Sequence, residues 1–143
     1  MTELRTFYFD ELEPGMAAEL QKTVSAEDVI AFAGLTGDCN PIHLDADYAA
    51  ATPFKKRVAH GMLTGSLLSA VFGTRLPGPG AIYVSQTLNF RAPVFLGDTV
   101  TARVRVHELY PVKYRVRFDC ECLVADRPVL MGEAMLIVPS RPG

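Results

Sequence analysis

The run Asp38-Cys39-Asn40-Pro41-Ile42-His43 packs a carboxylate, a carboxamide, a proline and an imidazole into six positions. Pro41 fixes its own φ and pushes Asn40 out of the helical region, so no helix can continue through the segment. A turn of this kind can fold Asp38 and His43 toward one point, giving two proton-transfer groups where a regular element would splay them. Seventeen residues beyond His43, Ala59-His60-Gly61-Met62-Leu63 sets a glycine at the head of a strongly apolar helix. Backbone N–H groups at a helix start point outward and carry partial positive charge. They suit an oxygen on which negative charge develops, and Gly61, without a side chain, permits close approach. An acid–base pair beside a helix N-terminus is what addition of water to an activated double bond requires.

Each of these residues also has a plainer role open to it. Asp38 can be a turn residue after a helix and His43 a satisfied packing histidine; Gly61 can ease a tight helix start. Asn40, before a proline, is expected to hold the loop, with a lesser possibility that its amide orients Asp38 or a water. Ser66 and Ser69 lie three apart on one helical face and can both look toward the Asp38 turn, although mid-helix serines often bond their own backbone. His60 is expected to anchor the helix start, and His107 to face solvent from a strand. A zinc site from Asp38, His43 and His60 fits no familiar ligand spacing, so no metal is expected. Lys55-Lys56-Arg57 is the most basic patch; it reads either as a phosphate contact or as a solvated face.

The elements that must position these groups fit one domain over residues 1–143. With 49% hydrophobic and 21% charged residues, the chain reads as ordered and globular. A net charge of −2 argues against general nucleic-acid binding. Three cysteines with no framework spacing read as reduced thiols; Cys120 and Cys122 sit two apart on one face of a strand. The polar start shows no secretory leader and no apolar run reaches the ~20 residues of a membrane span, so a cytoplasmic protein is expected.

Met16 to Val24 predicts a strand. Ser25 predicts the cap of a helix whose buried side is Val29, Ile30, Phe32, Ala33 and Leu35, stopped at Gly37. Asp45 to Ala51 predicts a short helix. Met62 to Leu76 is the longest helical signal, apolar over more than one face, and is expected to be wrapped by a sheet. From Ala81 the period changes to two, with strands expected over Ile82 to Arg91, Thr99 to Glu108, Lys113 to Val124 and Val129 to Val138 as an antiparallel meander. The expectation is an α+β domain: a curved antiparallel sheet of about five strands around one long helix. Its open edge invites pairing with a second copy.

The blocks Asp38-x-Asn40-Pro41-x-His43-Leu44-Asp45, His60-Gly61-Met62-Leu63 and Tyr83 through Phe95-Leu96-Gly97-Asp98 closely resemble the MaoC-like (R)-specific enoyl-CoA hydratases, in order from about Ala26 to Pro139. The resemblance implies the hot dog fold, a homodimer, and hydration of trans-2-enoyl-CoA to (R)-3-hydroxyacyl-CoA without metal or organic cofactor. It implies Asp38 and His43 as the catalytic pair, Gly61 as the backbone donor to the thioester oxygen, and Ser69 as a support for the aspartate. The alternatives are a dehydratase running the same equilibrium backwards, in fatty-acid synthesis or on a short dicarboxylic acyl-CoA, a thioesterase, and a non-catalytic acyl-CoA binding subunit. The last two have no need of Asp38 and His43 together.

Overall fold

The computed structural model describes residues 3–142. Six strands, β1 (Ala17–Thr23), β2 (Ile82–Gln86), β3 (Asn89–Phe90), β4 (Thr99–Tyr110), β5 (Arg115–Val124) and β6 (Arg127–Ile137), join in one antiparallel sheet. The helices are α1 (Ala26–Thr36), α2 (Pro41–Leu44), α3 (Ala46–Ala50) and α4 (Gly61–Thr74). Strict alternation decides which side of the sheet is dry. Val100, Ala102, Val104 and Val106 of β4 point inward with Val116, Phe118, Cys120 and Cys122 of β5, while Arg103, Arg105 and Asp119 point out. α4 lies on the inner face and buries Leu63, Leu68, Val71 and Phe72 against it, with the Phe72 and Phe118 rings edge to face at 4.9 Å. This is the expected sheet around a helix.

The sheet order β1-β4-β5-β6-β2 keeps the meander only for β4, β5 and β6. β2 crosses to the far edge and pairs with β6, and β1 closes the other edge on β4. The strand expected over Ile82 to Arg91 is broken in two because Thr87 substitutes its hydroxyl for a main-chain acceptor: Glu133 N–H donates to Thr87 Oγ1 at 2.9 Å. Gly132 makes this close crossing possible, since any side chain there would overlap the Thr87 carbonyl.

Three helical expectations need correction. α1 starts as predicted, with Ser25 and Asp28 forming a reciprocal capping box, but its buried stripe is only Val29 and Ala33, with Phe32 partly covered. Ile30 and Leu35 are 58% and 84% exposed, because α1 sits at the rim of the sheet and meets it along a single i, i+4 line. α4 is not buried all round: Met62, Ser66 and Ser69 are exposed. Finally, Pro41 does more than bend the chain. It occupies the first position of the short helix α2, where its missing N–H costs nothing.

The free edge of β2 carries the half-exposed side chains Ile82, Tyr83 and Val84. No helix among the described residues is long and apolar enough to cross a membrane.

Candidate active site

Local hydrogen bonds shape the Asp38 loop residue by residue. Gly37 ends α1 in the left-handed conformation at φ 84°, and its N–H donates to Ala33 O at 2.8 Å. The Asp38 N–H donates to Thr36 Oγ1 at 3.1 Å, and Asp38 Oδ1 accepts from the Asn40 N–H at 3.3 Å. Asn40 Oδ1 in turn accepts from the Ile42 N–H at 3.2 Å and caps α2. Asn40 is therefore committed to holding the turn. Asp45 caps α3 by accepting from the N–H groups of Asp47 and Tyr48.

His43 is fixed at three points. Its N–H donates to Asn40 O at 3.0 Å, its carbonyl accepts from Arg57 Nε at 2.8 Å, and its Nδ1 lies 2.7 Å from Val58 O. A carbonyl oxygen only accepts, so Nδ1 carries the hydrogen and Nε2 holds the lone pair of the neutral ring. The His60 ring stacks on His43 at 3.9 Å and 30°, and His60 Nε2 lies 3.0 Å from the Asp38 backbone carbonyl. A carboxylate oxygen of Asp38 and one ring nitrogen from each histidine lie within 4.8 Å of one another.

Asp38 opens onto a groove of about 660 Å³ whose apolar wall includes Phe32, Met62, Val84 and Leu88. Ser69 lines the same groove; Ser66 also reaches it but turns its hydroxyl to Leu63 O at 2.6 Å. Gly61 belongs to a second groove, of about 350 Å³, shared with Phe54, Phe90 and Arg91. A Cβ on Gly61 would lie 2.8 Å from Cε1 of Phe90. Asp38 and Ser69 thus line one groove, the His43 ring approaches the Asp38 carboxylate, and Gly61 lines the second groove from the first turn of α4.

Asp38 itself is exposed, because its loop runs along the rim rather than beneath α4. The basic run resolves into separate duties. Arg57 braces the His43 carbonyl, and Lys56 Nζ sits 4.4 Å over the Phe95 ring. The contacts of Arg57 and His60 with His43 were not foreseen; the sequence had marked Arg57 only as part of a basic patch and His60 as an anchor of the helix start. Tyr83, also lining the groove, donates its hydroxyl to Gln86 Oε1, and burial pushes the phenol well above its ordinary range.

Residues 10–120 match the family described as MaoC like domain. The chain belongs to the MaoC-like family. A 3-hydroxybutyryl-CoA dehydratase of Methylorubrum extorquens is 55% identical over 141 residues, 99% of this chain and 90% of that protein. An (R)-specific enoyl-CoA hydratase of Rhodospirillum rubrum is 53% identical over 139 residues, 97% and 96% of the two chains. The R-hydratase PhaJ1 of Pseudomonas aeruginosa superposes with a TM-score of 0.93 at 45% identity, covering 96% of this chain and 89% of that one. This MaoC-like chain has the hot dog fold and is an enzyme of the hydratase–dehydratase type.

Proposed function

We propose that the enzyme adds water to trans-2-enoyl-CoA to give (R)-3-hydroxyacyl-CoA, and catalyses the reverse dehydration, with Asp38 and His43 as its acid–base pair. The observation that carries this reading is the approach of the Asp38 carboxylate and the His43 imidazole to within 4.8 Å at the rim of a largely apolar groove. During addition the water oxygen bonds the β carbon and its proton passes to the pair. The electrons of the double bond move toward the thioester oxygen, and a proton is returned to the α carbon. His43 Nε2 is the free acceptor for this transfer, since Nδ1 is tied to Val58 O. Positioned groups of this kind contribute about 10²–10⁴-fold each.

The Gly61 N–H, at the first position of α4, has no acceptor within the helix, and no side chain caps it. It is the donor we assign to the thioester oxygen. Ser69 supports Asp38 from the same groove. The acyl chain takes the apolar wall of Phe32, Met62, Val84 and Leu88. The CoA thioester is supported by the names of the two relatives that match nearly the whole chain, and the R configuration by that of the Rhodospirillum rubrum hydratase.

A second copy paired along β2 fits this chemistry. The β2 edge is unpaired and apolar, and it borders the groove that holds Asp38. Covering that edge would shield the exposed carboxyl from bulk water. We therefore infer that the working form is a homodimer. The test of the reaction is to follow the ultraviolet absorbance of the enoyl thioester after adding enzyme to crotonyl-CoA. Rapid loss with an R-hydroxyl product supports the proposal; an S product, or no turnover, contradicts it.

A further inference from the structure

We propose that His60 is a positioning residue that joins the acid, the imidazole and the helix head into one unit, an inference that rests on the reaction assigned above. Four observations converge on it. Its ring is 1% exposed, the most buried of the polar side chains near the site. Nε2 lies 3.0 Å from the Asp38 carbonyl, so that nitrogen carries the hydrogen and ties down the loop that bears the acid. One ring face covers His43 at 3.9 Å, and the Phe32 ring also packs against His60, at 4.9 Å and a tilt of 52°. Its own carbonyl accepts from the N–H groups of Leu63 and Thr64, which fixes the first turn of α4 and the direction of the Gly61 N–H.

The remaining nitrogen decides the protonation state. His60 Nδ1 is buried with no hydrogen-bond partner. Placing a proton there would bury an unpaired donor on a charged ring, which is costlier than leaving a bare lone pair. The geometry thus favours a ring with its hydrogen on Nε2 and a bare lone pair on Nδ1. A neutral π face against His43 favours the imidazolium that His43 becomes after taking a proton, in the manner of a cation over an aromatic ring. The other ionisable groups facing His43 are the Asp38 carboxyl from the preceding loop and Arg57, whose Nε sits on the His43 carbonyl. His60 thus does two separable things: a donor holds the Asp38 loop, and a face supports His43.

Two substitutions separate them. His60→Phe keeps a ring against His43 but loses the donor; His60→Gln keeps an N–H donor of similar reach but loses the face. With crotonyl-CoA as substrate, each is expected to lower kcat about tenfold with KM changed less than twofold. The acidic limb of the pH–rate profile should move to lower pH in His60→Gln and stay in place in His60→Phe. Wild-type kcat in both variants with an unmoved limb overturns the proposal. Should both variants unfold, nitrogen-15 imidazole spectra of the wild-type protein still decide it. His60 should hold the neutral Nε2–H form across neutral pH, and a His60 that titrates there, or carries its hydrogen on Nδ1, overturns it. Retained turnover in Asp38→Asn would instead strike at the assigned reaction and not at His60 alone.

Discussion

Replacing Gly61 by alanine separates the two roles a glycine can have at the head of α4. The new Cβ would sit 2.8 Å from Cε1 and 3.1 Å from Cδ1 of Phe90, inside the 3.4 Å or more of ordinary contact. That overlap is cheap to relieve, because Phe90 is half exposed and its ring can swing outward. Overpacking of about 1 kcal/mol, the low end of the usual range, is partly offset by the better helix propensity of alanine. The expected fall in melting temperature is below about 4 °C. If the Gly61 N–H holds the thioester oxygen, the methyl obstructs the approach to that donor and the rate should fall by about 10²–10³. The assay is kcat/KM for crotonyl-CoA in Gly61→Ala and in the double variant with Phe90→Ala. Phe90→Ala should remove the overlap and restore stability without restoring the rate. Full recovery of turnover in the double variant would show that Gly61 serves only packing against Phe90, and would refute the oxyanion assignment.

Removing the brace on His43 by Arg57→Met deletes a charge-assisted hydrogen bond to a carbonyl; it should cost about 1.5–3 kcal/mol in urea unfolding and lower kcat. Burial pushes the Cys120 and Cys122 thiols up to about 12, whereas Cys39 is exposed. A thiol reagent near neutral pH should therefore modify Cys39 alone in the native protein and the other two only after unfolding. The Asp28 carboxyl is held below its ordinary range chiefly by the Ser25 N–H. Its folded value lies below its unfolded one, so its stabilisation is present above about pH 4 and fades as pH falls further. The stability gap between wild type and Asp28→Asn should close over that acidic window. Val84→Lys places a charge on the apolar β2 edge and should convert a dimer into a monomer by sedimentation, with loss of turnover; an unchanged dimer would place the interface elsewhere.

The sequence carried those parts of the fold that depend on local period and capping. The alternation in β4 and β5, the Ser25 box and the Asp45 cap are each determined within a few residues, and each stands where expected. Sheet order depends on which edge the chain returns to, so the pairing of β2 with β6 was not legible. Neither was the break at Thr87, which arises from a side chain standing in for backbone across the sheet. The outward turn of Ile30 and Leu35 has a similar origin: apolar spacing shows that a stripe exists but not how much of it a neighbour covers. At the site, the types and spacing of Asp38, Asn40 and His43 marked the loop. The bonds that aim His43 come from Arg57 and Val58, fourteen and fifteen residues away, and depend on the folded path of the chain.

The most direct measurement is turnover of crotonyl-CoA by Asp38→Asn and His43→Ala, each verified as folded by circular dichroism. Both changes should lower kcat by at least about 10² while leaving the melting temperature near that of the wild type, because Asp38 is exposed and His43 only partly buried. A folded variant of either kind that hydrates crotonyl-CoA at the wild-type rate would contradict the paired acid–base role.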